Sequence, residues 1–323
     1  MKKRLFLLIS LLYGVVMLYS QNAQQFSYYM FNQLTYNPAY AGFDNAINLT
    51  AFYRAQWVGI EGNPTLQSFS AHSPLNFANS NAGIYVVNDV MGAQRTTHFH
   101  LVYAYRQPLS FGNISFGISA GIFQQQLNGA KLRAPQGDYE SGISHNDNLL
   151  PNNTVNGIAP EINAGIYFNT KGLELGISAN NLAAPVTNLN TEFGTARVEF
   201  TRFYTAMALY NISLGKKFTL IPSTLLKTDF VHYQTDFNLI LQYRNNIYLG
   251  SSFRGNTQSS FDAVSVLFGF HITKNLRLGY SYDYTLSGLN SVSNGSHEVF
   301  VNYRILLKDL VKPGKKIYNP RFL

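Results

Sequence analysis

The chain has 323 residues and no cysteine, a formal net charge of +8, and only 12% charged residues against 15% aromatic ones. Without cysteine, disulfides, thiol catalysis and thiolate metal sites are excluded. The basic excess gathers at the two ends (Lys2, Lys3 and Arg4; then Lys308, Lys312, Lys315, Lys316 and Arg321), which leaves no basic face along the fold for a nucleic acid. An ordinary soluble domain carries about 25% charged residues, so a chain this poor in charge and rich in Tyr and Phe suits lipid.

Residues 1–20 read as a signal peptide. Lys2, Lys3 and Arg4 precede an uncharged run from Leu5 to Tyr19, and polar residues from Ser20 onward follow, with cleavage expected near Ser20 or Ala23. The apolar run is shorter than the roughly 20 residues of a spanning helix, so export is expected rather than anchoring. Residues 21–45 are expected to form a periplasmic N-terminal segment. Within it Tyr36 to Gly42 has the composition of a turn, Pro38 fixing φ and Gly42 permitting a positive φ, and as a plug or a periplasmic contact it would be functional.

Residues 46–306 alternate. Phe99, Leu101, Tyr103 and Tyr105 share one face of a strand, while His98, His100, Val102, Ala104 and Arg106 share the other. The pattern returns at Ile114 to Ile122 against Ser115, Gly117, Ser119 and Gly121, and at Phe237, Leu239, Leu241 and Tyr243 against Asp236, Asn238, Ile240 and Gln242. Mean hydropathy stays near zero, at −0.07, because the two faces cancel. About fourteen such strands are predicted, and Tyr280, Tyr282 and Tyr284 end one of them as an aromatic girdle would.

Tight turns at Asn169 to Gly172, Gly215 to Lys217, Arg244 to Asn246 and Thr273 to Asn275 interleave with long polar segments at Asn128 to Ile158, Asn181 to Glu199 and Leu286 to Gly295. Short periplasmic turns against long outer loops are the mark of an outer-membrane antiparallel β-barrel, and an even strand number sends both chain ends to the periplasm. No internal repeat or composition break divides the chain, so a single barrel domain is expected. Residues 307–323 form a basic tail in which Lys315, Lys316, Tyr318, Pro320, Arg321 and Phe322 read either as a solvated end or as a docking peptide.

Catalytic signatures are missing: there is no GxSxG, HExxH, P-loop or CxxC. His98 and His100 form an HxH pair that could turn two imidazoles toward one metal. No third ligand is identifiable in sequence, so the pair is read as hydrogen-bonding lumen residues and no metal or cofactor is expected. Asp283, Glu298 and Arg304 share the lumen face by parity and are expected to pair electrostatically rather than catalyse.

Phe26 to Gly42, then Tyr53-Arg54-Ala55-Gln56-Trp57, Gln67 to Ser70, His72 to Leu75 and the closing Asn319-Pro320-Arg321-Phe322, closely resemble the PorP/SprF family of Bacteroidota outer-membrane proteins. The N-terminal block is the most specific part of the likeness, with motif positions Asn37, Pro38, Tyr40, Gly42, Arg54 and Trp57. The resemblance implies a barrel associated with the type IX secretion system, some members serving gliding motility by helping to secrete or hold a large adhesin. It implies a non-enzymatic partner or anchor for one cargo and brings no catalytic residues. About fourteen strands make a barrel too narrow to pass a folded adhesin, so the loops at Asn128 to Ile158 and Asn181 to Glu199 are expected to hold a cargo's C-terminal domain, while the N-terminal segment and basic tail meet periplasmic secretion components. The alternative is a porin-like channel whose selectivity is set by Arg106, Asp236, Asp283 and Arg304, with small residues such as Gly117, Gly121 and Gly279 leaving room for water.

Overall fold

The computed structural model describes residues 24–307 apart from residues 45, 76, 141, 148–149, 192–193 and 257–259, so the expected leader and the docking residues Lys315, Lys316, Tyr318, Pro320, Arg321 and Phe322 lie outside the described residues. Seventeen strands follow in chain order: β1 (Ala46–Ala55), β2 (Thr65–Pro74), β3 (Ser80–Met91), β4 (Gln94–Leu109), β5 (Gly112–Asn128), β6 (Thr154–Asn169), β7 (Leu173–Asn180), β8 (Val186–Thr191), β9 (Gly194–Glu199), β10 (Phe203–Tyr210), β11 (Ile212–Leu214), β12 (Phe218–Thr228), β13 (Tyr233–Tyr243), β14 (Ile247–Asn256), β15 (Ser260–His271), β16 (Leu276–Thr285) and β17 (Ser296–Leu306).

All but β8 and β9 form one antiparallel sheet that closes on itself: β1 pairs with both β2 and β17, and β10 pairs with both β7 and β12. β11 continues β10 beyond Asn211 against the same partner, so the barrel has 14 staves. Closure leaves no strand edge bare in hydrocarbon, where an unpaired peptide group costs several kcal/mol. No described helix is long and apolar enough to cross a membrane.

Side-chain parity follows the sequence reading. Phe99, Leu101, Tyr103, Phe116, Ile118, Phe237 and Leu239 point outward and are exposed, while His100, Ala104, Ser115, Ser119, Asp236 and Asn238 point inward and are buried. The outward band is the surface that lipid covers. The four expected tight turns all join strands at one end of the barrel, which also holds the start of β1 and the end of β17. The long segments lie at the other end.

Two departures arise at that long-loop end. β6 starts at Thr154, so the first long loop is shorter than the segment read to Ile158. The second is no bare loop: β8 and β9 pair as a hairpin that turns in over the mouth. Thr187 and Leu189 are buried, Thr187 Oγ1 donates to Gln125 Oε1 at 2.9 Å, and Phe200 meets the Phe123 ring edge-on at 4.1 Å between centroids. The short alternation around Thr187 and Leu189 is masked in sequence by polar neighbours.

The N-terminal segment occupies the lumen. Its described part, residues 24–44, packs inside the barrel instead of standing free beside it, as a 3-10 turn (Tyr29–Phe31), a single helical turn (Gln33–Tyr36) and a second 3-10 turn (Pro38–Tyr40). Phe26, Tyr28, Tyr29, Met30, Leu34, Tyr36, Ala39 and Ala41 are buried there against inward residues such as Phe52, Tyr167, Ile240 and Phe300. Burial of each large side chain contributes on the order of 1.5–3 kcal/mol, so the barrel's apolar core is made by filling it.

Candidate functional site

The plug crosses the lumen from the long-loop mouth to the short-turn mouth. At the first, Gln24 accepts a hydrogen bond from Lys227 Nζ at 3.2 Å and Gln25 donates to Gln234. At the second, Asp44 meets Arg304 at 2.8 Å.

Its upper half is held by buried charge. Arg54 of β1 pairs with Asp283 of β16 at 2.7 Å and Glu298 of β17 at 3.2 Å, and Arg254 of β14 pairs with Asp236 and Asp283 at 3.3 and 3.5 Å. Into this group the plug inserts Ser27, whose Oγ donates to Asp283 at 2.9 Å and accepts from Arg54 Nη1 at 2.9 Å. The peptide N–H groups of Ser27 and Tyr28 donate to the two Glu298 oxygens at 2.8 and 2.9 Å. Charges this deep survive only when paired and hydrogen-bonded, and the plug backbone supplies bonds that the barrel wall lacks.

Two plug side chains reach strand carbonyls instead. Tyr28 Oη donates to the carbonyls of Phe268 and Tyr280, register partners on β15 and β16, and Asn37 Nδ2 donates to those of Ile166 and Ile177, register partners on β6 and β7. Glycines let the plug come this close. A Cβ on Gly117 would stand 2.2 Å from Ala39 N, and one on Gly165 2.1 Å from Asn37 Oδ1.

A cavity of about 620 Å³ lies at the long-loop mouth, floored by Gln24, Gln25 and Thr35 and overhung by Leu189, Val198 and Phe200 of the hairpin region. Another of about 580 Å³ lies at the short-turn mouth beside Phe43, Phe77 and Arg106. Asp229 lines the upper cavity. Partial burial works to raise its carboxyl, but the N–H groups of His232 and Val231 hold it below the usual carboxylate range, so it presents a negative charge there.

One further cluster faces the same cavity. His98 Nδ1 is 2.7 Å and His100 Nε2 3.1 Å from the same oxygen of Glu161, an inward residue of β6.

The family model for the type IX secretion system membrane protein PorP/SprF matches residues 18–303. The chain belongs to that family. No curated protein matches it. Among solved structures it is similar to the toluene transporter TbuX of Ralstonia pickettii, at 9% identity and a TM-score of 0.51 over 84% of this chain and 92% of that one. The toluene transporter TodX of Pseudomonas putida follows at 9% identity and 0.49, over 84% and 93%. At such identity the likeness to TbuX shows the barrel fold alone; family and fold together place the protein in the outer membrane.

The structure gives each of the six motif positions expected from the resemblance a contact. Asn37 caps the turn by accepting from Ala39 N at 2.9 Å and bridges two strands through its amide, and Pro38 opens that turn against Gly117. Tyr40 sits among Phe43, His72 and Tyr167. Gly42 adopts φ +66° where a Cβ would strike Asn81, donates its N–H to His72 Nδ1 and accepts from Arg106. Arg54 anchors the ion cluster. Trp57 stands apart, at φ 52° on the rim of the upper cavity, its N–H donating to Ser296 Oγ.

The expected pairing of Asp283 and Glu298 with Arg304 is corrected. Arg304 lies six residues beyond Glu298, about 20 Å along β17, and pairs with Asp44 instead. The partners missed by sequence are Arg54 and Arg254. Arg254 shares the inward face of β14 with Ser252, but only the β13–β14 register brings it opposite Asp236.

Proposed function

We propose that this PorP/SprF barrel is a closed, non-enzymatic partner of the type IX secretion system that holds a secreted cargo protein at its long-loop mouth. The observation that carries this reading is the use made of the lumen charges. The four groups that could have set a channel's selectivity are occupied by the plug or by the ion cluster it completes: Arg106 on the Gly42 carbonyl at 2.6 Å, Arg304 on Asp44, Asp283 on Ser27, and Asp236 on Arg254. The small lumen residue Gly117, read as room for water, is covered by Pro38 and Ala39.

A binding role then falls to the loops. The segment after β5, the β8–β9 hairpin and the cavity beneath it make a recessed mouth with aromatic and charged rims, suited to the C-terminal domain of an adhesin-like cargo. The basic tail, with Lys315, Lys316 and Arg321, is the proposed contact for periplasmic secretion components; the N-terminal segment, engaged in the lumen, is withdrawn from that role.

The test is recovery of partners from native outer membranes with the tagged barrel, comparing the intact protein with a variant in which residues 130–152 are replaced by a short linker. Co-purification of a large secreted protein with the first, and its loss from a still heat-modifiable second, is expected. A partner-free barrel that conducts ions in planar bilayers would overturn the reading in favour of a channel.

A further inference from the structure

We propose that His98, His100 and Glu161 form a binding site for one divalent transition-metal ion, Zn²⁺ foremost, with an open coordination position toward the upper cavity. Strand geometry assembles the donors. His98 and His100 are i and i+2 on β4 and so share the inward face. Glu161 stands two strands away, and the register runs His100, Gly121, Glu161 across β4, β5 and β6. Gly121 is what lets them meet: a Cβ there would lie 2.9 Å from the His100 ring carbon Cγ and 1.9 Å from the Phe99 carbonyl. His98 Nδ1, His100 Nε2 and a Glu161 oxygen consequently lie within 4.8 Å of one another. Donors bound to Zn²⁺ at about 2.0–2.2 Å are some 3.4 Å apart, so small side-chain shifts complete the site.

The alternative, a simple hydrogen-bonded trio, leaves too much unsatisfied. Among the described residues, neither ring nitrogen of the fully buried His100 has a hydrogen-bond partner, its Nε2 lying near the Glu161 oxygen but off the angle of a hydrogen bond. The ring itself is fixed, stacked on Tyr85 at 4.6 Å and 14°, and the Tyr85 hydroxyl is held by Asn163. The His98 ring is fixed against Phe123. Glu161 is a buried carboxylate whose ion pairs are with these two imidazoles alone among the described residues. A dication pairs with that carboxylate and gives His100 Nε2 a bond at once. His98 and Glu161 line the cavity, so the fourth position is open to water or to a donor brought by whatever enters it. This site does not rest on the cargo reading.

The test uses the full barrel in detergent after chelator treatment, titrated with Zn²⁺ by calorimetry and with Cu²⁺ by electron paramagnetic resonance. One ion per chain is expected at micromolar or tighter affinity, with nitrogen hyperfine structure from two imidazoles. At least a hundredfold weaker binding is expected in His100→Ala and in Glu161→Gln, against no change in His271→Ala, whose ring lies near Tyr248 away from the site. Millimolar binding only, a copper spectrum without two nitrogens in the unaltered protein, or equal affinity in the folded His100→Ala barrel would each overturn the proposal; the copper spectrum decides even if the variants fail to fold.

Discussion

Arg54 on the first barrel strand and Glu298 on the last are register partners across the seam that closes the barrel, 3.2 Å apart, and Glu298 also takes the two plug N–H groups of Ser27 and Tyr28. Closure of the wall and seating of the plug therefore meet in one carboxylate.

Removing Arg54 leaves Asp283 with Arg254 alone and buried Glu298 with no ion pair among the described residues. Arg54→Ala is expected to lower unfolding stability by about 3–5 kcal/mol, seen as a shifted denaturant midpoint in lipid vesicles. An unchanged midpoint would mean that Arg254 alone satisfies both carboxylates.

The plug should be displaced by bulk introduced beneath it. A cysteine at buried Ala41 is unique in this chain, and it is expected to resist an impermeant maleimide in the otherwise native barrel. With Gly117→Val added, whose Cβ falls on Ala39, labelling should accelerate by on the order of tenfold or more. Equal rates in both proteins would place the seal elsewhere.

Conductance reads the same feature differently. The unaltered barrel is expected to stay silent in planar bilayers, and deletion of residues 26–43 to open a conductance through the vacated lumen, cation- or anion-preferring according to which of Asp236, Asp283, Arg54 and Arg254 stay paired. Current through the intact protein would contradict the plugged lumen.

Leu239 is exposed at the middle of β13, and a charge there must sit in hydrocarbon. Leu239→Arg should cost about 2–4 kcal/mol in folding equilibria with bilayer vesicles. A much smaller loss would put that position near an interface.

The barrel was legible because lipid and lumen impose a period of two on every strand, so Phe99, Leu101 and Tyr103 declare the outer face without help from tertiary structure. Turn lengths declared which mouth was which. What could not be read were contacts fixed by register between distant strands. Nothing near Tyr36 to Gly42 says that Gly117 and Gly165, far along the chain, leave a bed for it. Tyr28 and Tyr29 look like any interfacial aromatics until the wall around them is known. Glu161 was invisible as a third ligand for the same reason: it meets His100 only through the row passing over Gly121. Arg54 stood out as part of a motif, but its partners are on strands at the other end of the sequence.

The seam pair has a consequence for assembly. A slip of one residue between β1 and β17 would set Arg54 against Val299 or His297 and turn Glu298 out into lipid. β1 and β17 are the first and last strands in chain order, so an error in any pairing between them shifts the register at which the two meet. Arg54 and Glu298 thus act as a checksum on the whole sheet: a ring closed in the wrong register strands charges in oil and comes apart, and only the correct one locks.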